Sequence, residues 1–147
     1  MRIDWLHIPQ YRNLRNFEID FDESQPTTVL LGHNGSGKSN LLEAIVEIFR
    51  ELDSGKATNF AYRMRYACYG HVVEVQADPD GPRRLSIQVD GQPMTVAEFT
   101  RQKETLLPMY IFGYYSGWSS RLEDQFADKT RRYYLQVLRN PNFDNMP

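Results

Sequence analysis

The feature that most constrains this chain is the run Gly32-His33-Asn34-Gly35-Ser36-Gly37-Lys38-Ser39, which matches the phosphate-loop pattern G-x-x-x-x-G-K-[ST]. The pattern carries weight only between a strand and a helix, and the flanking residues supply both. Thr28-Val29-Leu30-Leu31 is a short apolar run of the kind found in a strand covered on both faces. From Lys38 to Leu52, the side chains of Leu41, Ile45, Ile48 and Leu52 fall on one helical face, and Glu43, Glu47, Arg50 and Glu51 fall on the other. Asp53-Ser54-Gly55 supplies the stop.

Each residue type in the run has a physical reason. A loop that wraps a phosphate with main-chain N–H groups needs positions without a Cβ, and Gly32, Gly35 and Gly37 provide them. A helix starting near Lys38 aims its unbonded N–H groups and its positive dipole end at the anion. Lys38 is expected to reach the β- and γ-phosphates as a mobile point charge, and Ser39 to place its hydroxyl on Mg²⁺. Asn34, Ser36 and Asn40 complete the nucleotide-binding set. His33 reads as exposed and not catalytic. The expected cofactors are ATP and Mg²⁺.

The remaining sequence places this loop in an α/β chain. Residues 2–8 read as a strand stopped by Pro9, and 10–15 as a polar turn. Phe17, Ile19 and Phe21 alternate with Glu18 and Asp20, the period of a half-buried strand. Residues 57–95 read as an antiparallel meander, with Asp78-Pro79-Asp80-Gly81-Pro82 as a turn and Asp90-Gly91 as a hairpin signal. Val96 to Glu104 is predicted as a short helix, Leu106 to Tyr115 as an apolar strand, and Lys129 to Leu138 as a helix. The predicted organisation is a phosphate-loop core over 1–56, the meander over 57–95 and a closing helical and strand segment over 96–147.

Composition narrows the function classes. Of 147 residues, 41% are hydrophobic and 24% charged, which suits one folded domain. The formal net charge of -2 gives no global nucleic-acid signature, so a nucleic-acid surface must be a local patch. Cys68 stands alone, which excludes an internal disulfide and fits a reducing, cytoplasmic setting. Met1-Arg2-Ile3-Asp4-Trp5 does not read as a signal peptide, and no window approaches a membrane span, so no membrane partner is expected.

Residues 32–45, G-H-N-G-S-G-K-S-N-L-L-E-A-I, resemble the Walker A region of the SMC/RecF-like ATPases, a branch of the ABC-type P-loop NTPases. Ile8-Pro9-Gln10-Tyr11-Arg12-Asn13-Leu14 is similar to their I-x-N-[FY]-[KR]-x-[FL] segment, and Phe17-Glu18-Ile19-Asp20-Phe21 to the strand that follows it. The resemblance is close over residues 1–50 and loose over 60–115. Phe112-Gly113-Tyr114-Tyr115-Ser116-Gly117 is similar to a bacterial subgroup of AAA-family ATPases found beside restriction or anti-phage defence genes.

The resemblance implies the N-terminal lobe of an ABC-ATPase-like head with the antiparallel meander attached. It also implies a head-to-head dimer that sandwiches ATP and acts on DNA, in DNA repair or defence. The family's second lobe carries a Walker B segment and an S-G-G-type signature loop, and neither is found here. The apolar run at 106–112 ends in Gly113-Tyr114 where an Asp-Glu pair would stand. The chain is therefore expected to be part of a longer protein whose C-terminal lobe is missing, and to hydrolyse ATP weakly or not at all by itself. The resemblance also places Arg12 near the nucleotide. No glutamine follows the strand ending at Tyr115 until Gln125, so Ser116 is the candidate to replace a Q-loop metal contact.

Other readings compete. A small-molecule P-loop kinase would carry an arginine-bearing lid soon after the loop helix, where this chain has a meander. A non-hydrolysing nucleotide-sensing module lacks the Asp-Glu pair throughout, and a transporter ATPase would need the missing glutamine. Arg63, Arg65, Arg83 and Arg84, or Lys129, Arg131 and Arg132, could meet DNA phosphates, although on a net acidic chain a solvated, charge-balanced surface is the preferred account. Asp78/Asp80 and Glu123/Asp124 show no catalytic pairing. His7, His33, His71 and Cys68 show no metal-ligand spacing.

Overall fold

In a computed structural model, which describes residues 1–25 and 27–111, the period-two segments form one six-stranded sheet in the order β2-β1-β3-β4-β5-β6. The strands are β1 (Arg2–Tyr11), β2 (Leu14–Asp20), β3 (Tyr62–Cys68), β4 (His71–Ala77), β5 (Leu85–Val89) and β6 (Gln92–Met94). Every pairing is antiparallel. Among the described residues the helices are α1 (Lys38–Asp53), α2 (Val96–Arg101) and α3 (Lys103–Leu106).

Hairpin chemistry sets the register. Asp90 and Gly91 have φ of 51° and 76°, and Tyr69 and Gly70 have 48° and 91°. Both central residues with positive φ match the twist of the flanking strands. The expected Asp90-Gly91 turn is therefore present, and Tyr69-Gly70 closes Cys68 onto His71 in the same way. The meander continues directly into the N-terminal strands, because β1 lies beside β3 with Leu6 opposite Met64.

One sheet face carries the core. Leu6, Ile8, Tyr62, Met64, Tyr66, Val73, Val75, Ile87 and Val89 are buried there with Leu41, Ala44, Ile48, Phe49 and Leu52 of α1. Phe49 meets Tyr66 edge-on at 5.2 Å between ring centres. Tyr66 then donates its hydroxyl proton to the Leu106 carbonyl at 3.0 Å, which ties α3 beneath the sheet. Phe99 of α2 is fully buried in the same cluster.

Four expectations need correction. β1 does not stop at Pro9 but runs to Tyr11, because an interior proline is tolerated where its missing N–H costs no ladder bond. The turn is consequently only Arg12-Asn13. Residues 27–31 form no strand, and Val29 and Leu31 are 73% and 89% exposed. A strand covered on both faces needs neighbours on each side, and the described sheet ends at β2 and β6 without supplying them. Glu43 and Glu47 do not face solvent but are buried, since the β1–β2 turn covers α1 on a second side.

The fourth concerns Leu106 to Tyr115. Residues 103–106 are helical and 107–111 form no strand, while 112–115 lie outside the described residues. So do Ser116, the Gly113-Tyr114 end of the apolar run, Glu123/Asp124 and the Lys129–Leu138 segment with its basic residues. The attached meander is as expected. The parallel strands that an α/β class also implies are not found among the described residues.

Candidate functional site

The candidate site begins where α1 begins. Gly37 caps the helix with φ 105° and ψ 4°, and no side chain caps the first turn. No acidic residue occupies that turn either. The positive end of a four-turn helix is thus left to whatever anion approaches it. Gly37 also sits too tightly for any side chain. A Cβ there would come within 2.7 Å of Leu14 Cδ2 and 3.0 Å of Asn13 Oδ1. Gly35, at φ 83°, has open space around it, so the backbone angle alone favours glycine.

Lys38 lies over the loop. Its Nζ donates to the carbonyls of Gly32 at 2.7 Å and His33 at 2.9 Å. The Ser36 N–H donates to the His33 carbonyl at 3.1 Å, closing a tight turn. Gly32, His33, Asn34, Gly35 and Ser36 are all exposed, while Ser39 and Asn40 are half-buried at the helix start. The donor set is main-chain N–H groups, one ammonium and one hydroxyl, and it fits a polyphosphate with a small hard cation. Among the described residues no three His, Cys, Asp or Glu side chains gather to cage a metal. Magnesium commonly takes its oxygens from phosphates and water with only one or two protein groups, and Ser39 would be that group.

The β1–β2 turn borders this loop. Asn13 donates from Nδ2 to the Gly35 carbonyl at 2.7 Å and accepts at Oδ1 from Asn40 Nδ2 at 2.6 Å. Arg12, with φ 50°, forms an ion pair with Glu43 of α1. Its guanidinium carbon lies 5.4 Å from the centre of the Tyr11 ring. The Tyr11 hydroxyl donates to Glu47 Oε2 at 3.2 Å. Burial, reinforced by the Glu47 charge, pushes the Tyr11 phenol up to about 12, so it remains a donor throughout the neutral range.

The structure therefore brings together Gly32, Asn34, Gly35, Ser36, Gly37, Lys38, Ser39 and Asn40, and sets Arg12 on the adjoining turn. Ser116 lies outside the described residues. Asn13 and Glu43 were missed as site residues. Asn13 had a signal in hindsight: an asparagine in a two-residue hairpin turn has a polar side chain with no strand face to occupy. Glu43 had none, since its spacing places it on the polar side of an isolated helix.

Of the basic candidates, Arg65 pairs with Asp4 at 3.8 Å and Glu23 at 3.5 Å, and Arg63 lies 5.9 Å over the Trp5 ring. They share a groove on the sheet face opposite α1 with Asp20 and Glu74, a mixed-charge surface. No described helix is long and apolar enough to cross a membrane.

Comparison with known proteins gives the family and the fold. The AAA ATPase domain family matches residues 1–121. The DNA replication and repair protein RecF of Anaeromyxobacter dehalogenans (strain 2CP-1 / ATCC BAA-258) is 39% identical over 90 residues, 60% of this chain and 23% of RecF. RecF of Synechococcus sp. (strain JA-2-3B'a(2-13)) is 49% identical over 100 residues, 59% of this chain and 25% of RecF. The chain thus spans about a quarter of the length of these relatives. A solved structure from work on the ATP-driven dimerization and DNA-stimulated activation of SMC ATPases superposes with a TM-score of 0.51. It is 17% identical, covers 94% of this chain and 99% of its own, and shows a shared fold. With a family match across most of its length, the chain belongs to the AAA ATPase domain family, and over 60% of its length it is similar to RecF.

Proposed function

We propose that this chain is the nucleotide-binding lobe of an ATP-driven switch, holding ATP·Mg²⁺ at Gly32–Ser39. The observation that carries the reading is the Lys38 ammonium, poised over the loop carbonyls at the uncapped start of α1. Phosphate oxygens would take over the ammonium from those carbonyls. The first-turn N–H groups would face the same oxygens, and the Ser39 hydroxyl would join the magnesium shell. Arg12 would leave Glu43, or share it, to meet the nucleotide.

The similarity to RecF and to the SMC fold supports a switch that acts on DNA, with two heads closing on ATP and parting after hydrolysis. The anti-phage form of this reading rests on Phe112–Gly117, outside the described residues. Hydrolysis needs a group that positions the attacking water, and the chain shows no Asp-Glu pair after an apolar strand. In this reading that group, and the second lobe, come from elsewhere in the complete head.

The test is equilibrium binding of a fluorescent ATP analogue with Mg²⁺ to the 147-residue chain and to Lys38→Ala. Lys38→Ala should lose about 2–4 kcal/mol of binding, the scale for removing one partner of a charged hydrogen-bonded pair. Equal affinity in the two proteins, or no binding by the parent, would refute the proposal.

A further inference from the structure

The Asn13 carboxamide bridges the phosphate loop and the start of α1. Its Nδ2 donates to the Gly35 carbonyl at 2.7 Å, and its Oδ1 accepts from Asn40 Nδ2 at 2.6 Å. A carbonyl only accepts, so the Gly35 contact requires the amide nitrogen on that side, and the Asn40 donor then meets the oxygen. Both bonds therefore agree on one orientation. The turn backbone is held in place as well. Arg15 donates to the Arg12 carbonyl at 2.8 Å, and the buried Leu14 lies against Gly37, its Cδ2 within 2.7 Å of where a Cβ would stand.

The consequence follows from the trans peptide. A carbonyl and the N–H of the next residue point to opposite sides of one rigid plane. Fixing the Gly35 carbonyl toward Asn13 therefore fixes the Ser36 N–H away from it, back across the loop, where it meets the His33 carbonyl at 3.1 Å. Gly35, at φ 83° and with open space where a Cβ would stand, brings no side chain of its own to hold this plane. Without the Asn13 bond, the Gly35–Ser36 peptide is held at one end only, by the Ser36 N–H on the His33 carbonyl.

We propose that Asn13 is a positioning residue of the nucleotide site, holding the Gly35–Ser36 peptide in the tight turn that its N–H closes onto the His33 carbonyl, and so fixing the shape the loop offers to a bound phosphate. The proposal rests on the nucleotide-binding reading of the loop. It adds that the β1–β2 turn and the loop act as one unit, so a shift of the turn reorients a phosphate ligand.

Two measurements on the 147-residue chain test it. The first needs no nucleotide: amide hydrogen exchange at Ser36, read by NMR. Asn13→Ala should speed it by about tenfold, the size of one lost hydrogen bond, with thermal unfolding little changed because Asn13 is exposed. Unchanged Ser36 exchange would overturn the proposal, whether or not the chain binds ATP.

The second is the pH profile of ATP-analogue affinity. Asn13→Ala should weaken binding about tenfold at every pH. Asn13→Asp should weaken it more at pH 8, where a carboxylate opposes the Gly35 carbonyl and the phosphates. It should then recover relative to Asn13→Ala as pH falls to about 4, the ordinary aspartate value, where the carboxyl regains a proton to donate. A purely structural role would move both variants in parallel, and that result would also overturn the proposal. Absence of ATP binding by the parent would instead refute the nucleotide reading, leaving the exchange result to decide the role of Asn13.

Discussion

Gly37 meets two demands at once, a left-handed backbone and contact with Leu14 that leaves no room for a methyl group. Gly37→Ala places a Cβ in a conformation that costs roughly 1–2 kcal/mol for an L-residue and pushes it onto Leu14 Cδ2. Chemical denaturation should show a loss above that range, whereas Gly35→Ala, with open space around it, should stay within it. Arg12 makes a second case. Its partner Glu43 is 2% exposed while the Arg12 side chain is 39% exposed. Removing the arginine strips one partner from a buried carboxylate, which costs 3–5 kcal/mol in fully buried pairs. Solvent around Arg12 reduces this, and Arg12→Ala should cost about 2 kcal/mol in a urea melt, with Glu43→Gln/Arg12→Ala less damaging than the sum of its parts.

At the scale of the element, the legible parts were those whose signals are local. The start and end of α1 follow from Gly37 and from Asp53-Ser54-Gly55, and the helix runs Lys38–Asp53 as the pattern predicts. The Asp90-Gly91 turn follows from dihedrals that few other pairs adopt. The burial of Glu43 and Glu47 was not legible, because it depends on Arg12 and Tyr11 arriving from a distant turn. Tertiary partners, and not helix periodicity, decided which face of α1 was wet.

Helix α2 offers the clearest element-level test. Thr95 accepts from the Glu98 N–H at 3.2 Å, and the Glu98 carboxylate accepts from the Thr95 N–H at 3.0 Å and from its hydroxyl at 2.7 Å. This capping box satisfies two N–H groups reciprocally, and Thr95→Ala should cost about 1 kcal/mol. The Thr95 hydroxyl and then its N–H hold the Glu98 carboxyl below the usual range. A lowered folded value means the contribution is complete above the unfolded carboxylate value near ~4.3 and is lost as pH falls through the folded one. The stability difference between parent and Glu98→Ala should therefore shrink below about pH 4. A gap that stays constant to pH 2.5 would contradict the box.

The whole molecule is where sequence reasoning met its limit. The apolar run Thr28–Leu31 signals a covered strand, yet covering is a property of neighbours, and the described sheet has none to offer. Val29 and Leu31, 73% and 89% exposed directly ahead of the phosphate loop, present apolar surface of the kind that a partner covers. In the proposed head, that partner is the second lobe, whose strands would flank this segment and bring the water-positioning carboxylate to the γ-phosphate. Stability and assembly should then separate. Leu31→Asp should leave the unfolding of this chain within about 0.5 kcal/mol of the parent, as for other exposed positions. The same change in the complete protein should abolish ATP turnover while the isolated chain still binds the ATP analogue. Steady-state hydrolysis by the two full-length proteins, with analogue binding by the two short ones, reads both halves of the claim. Full turnover in Leu31→Asp would show that the segment stays uncovered, and the loop would have to complete its catalytic site from another direction.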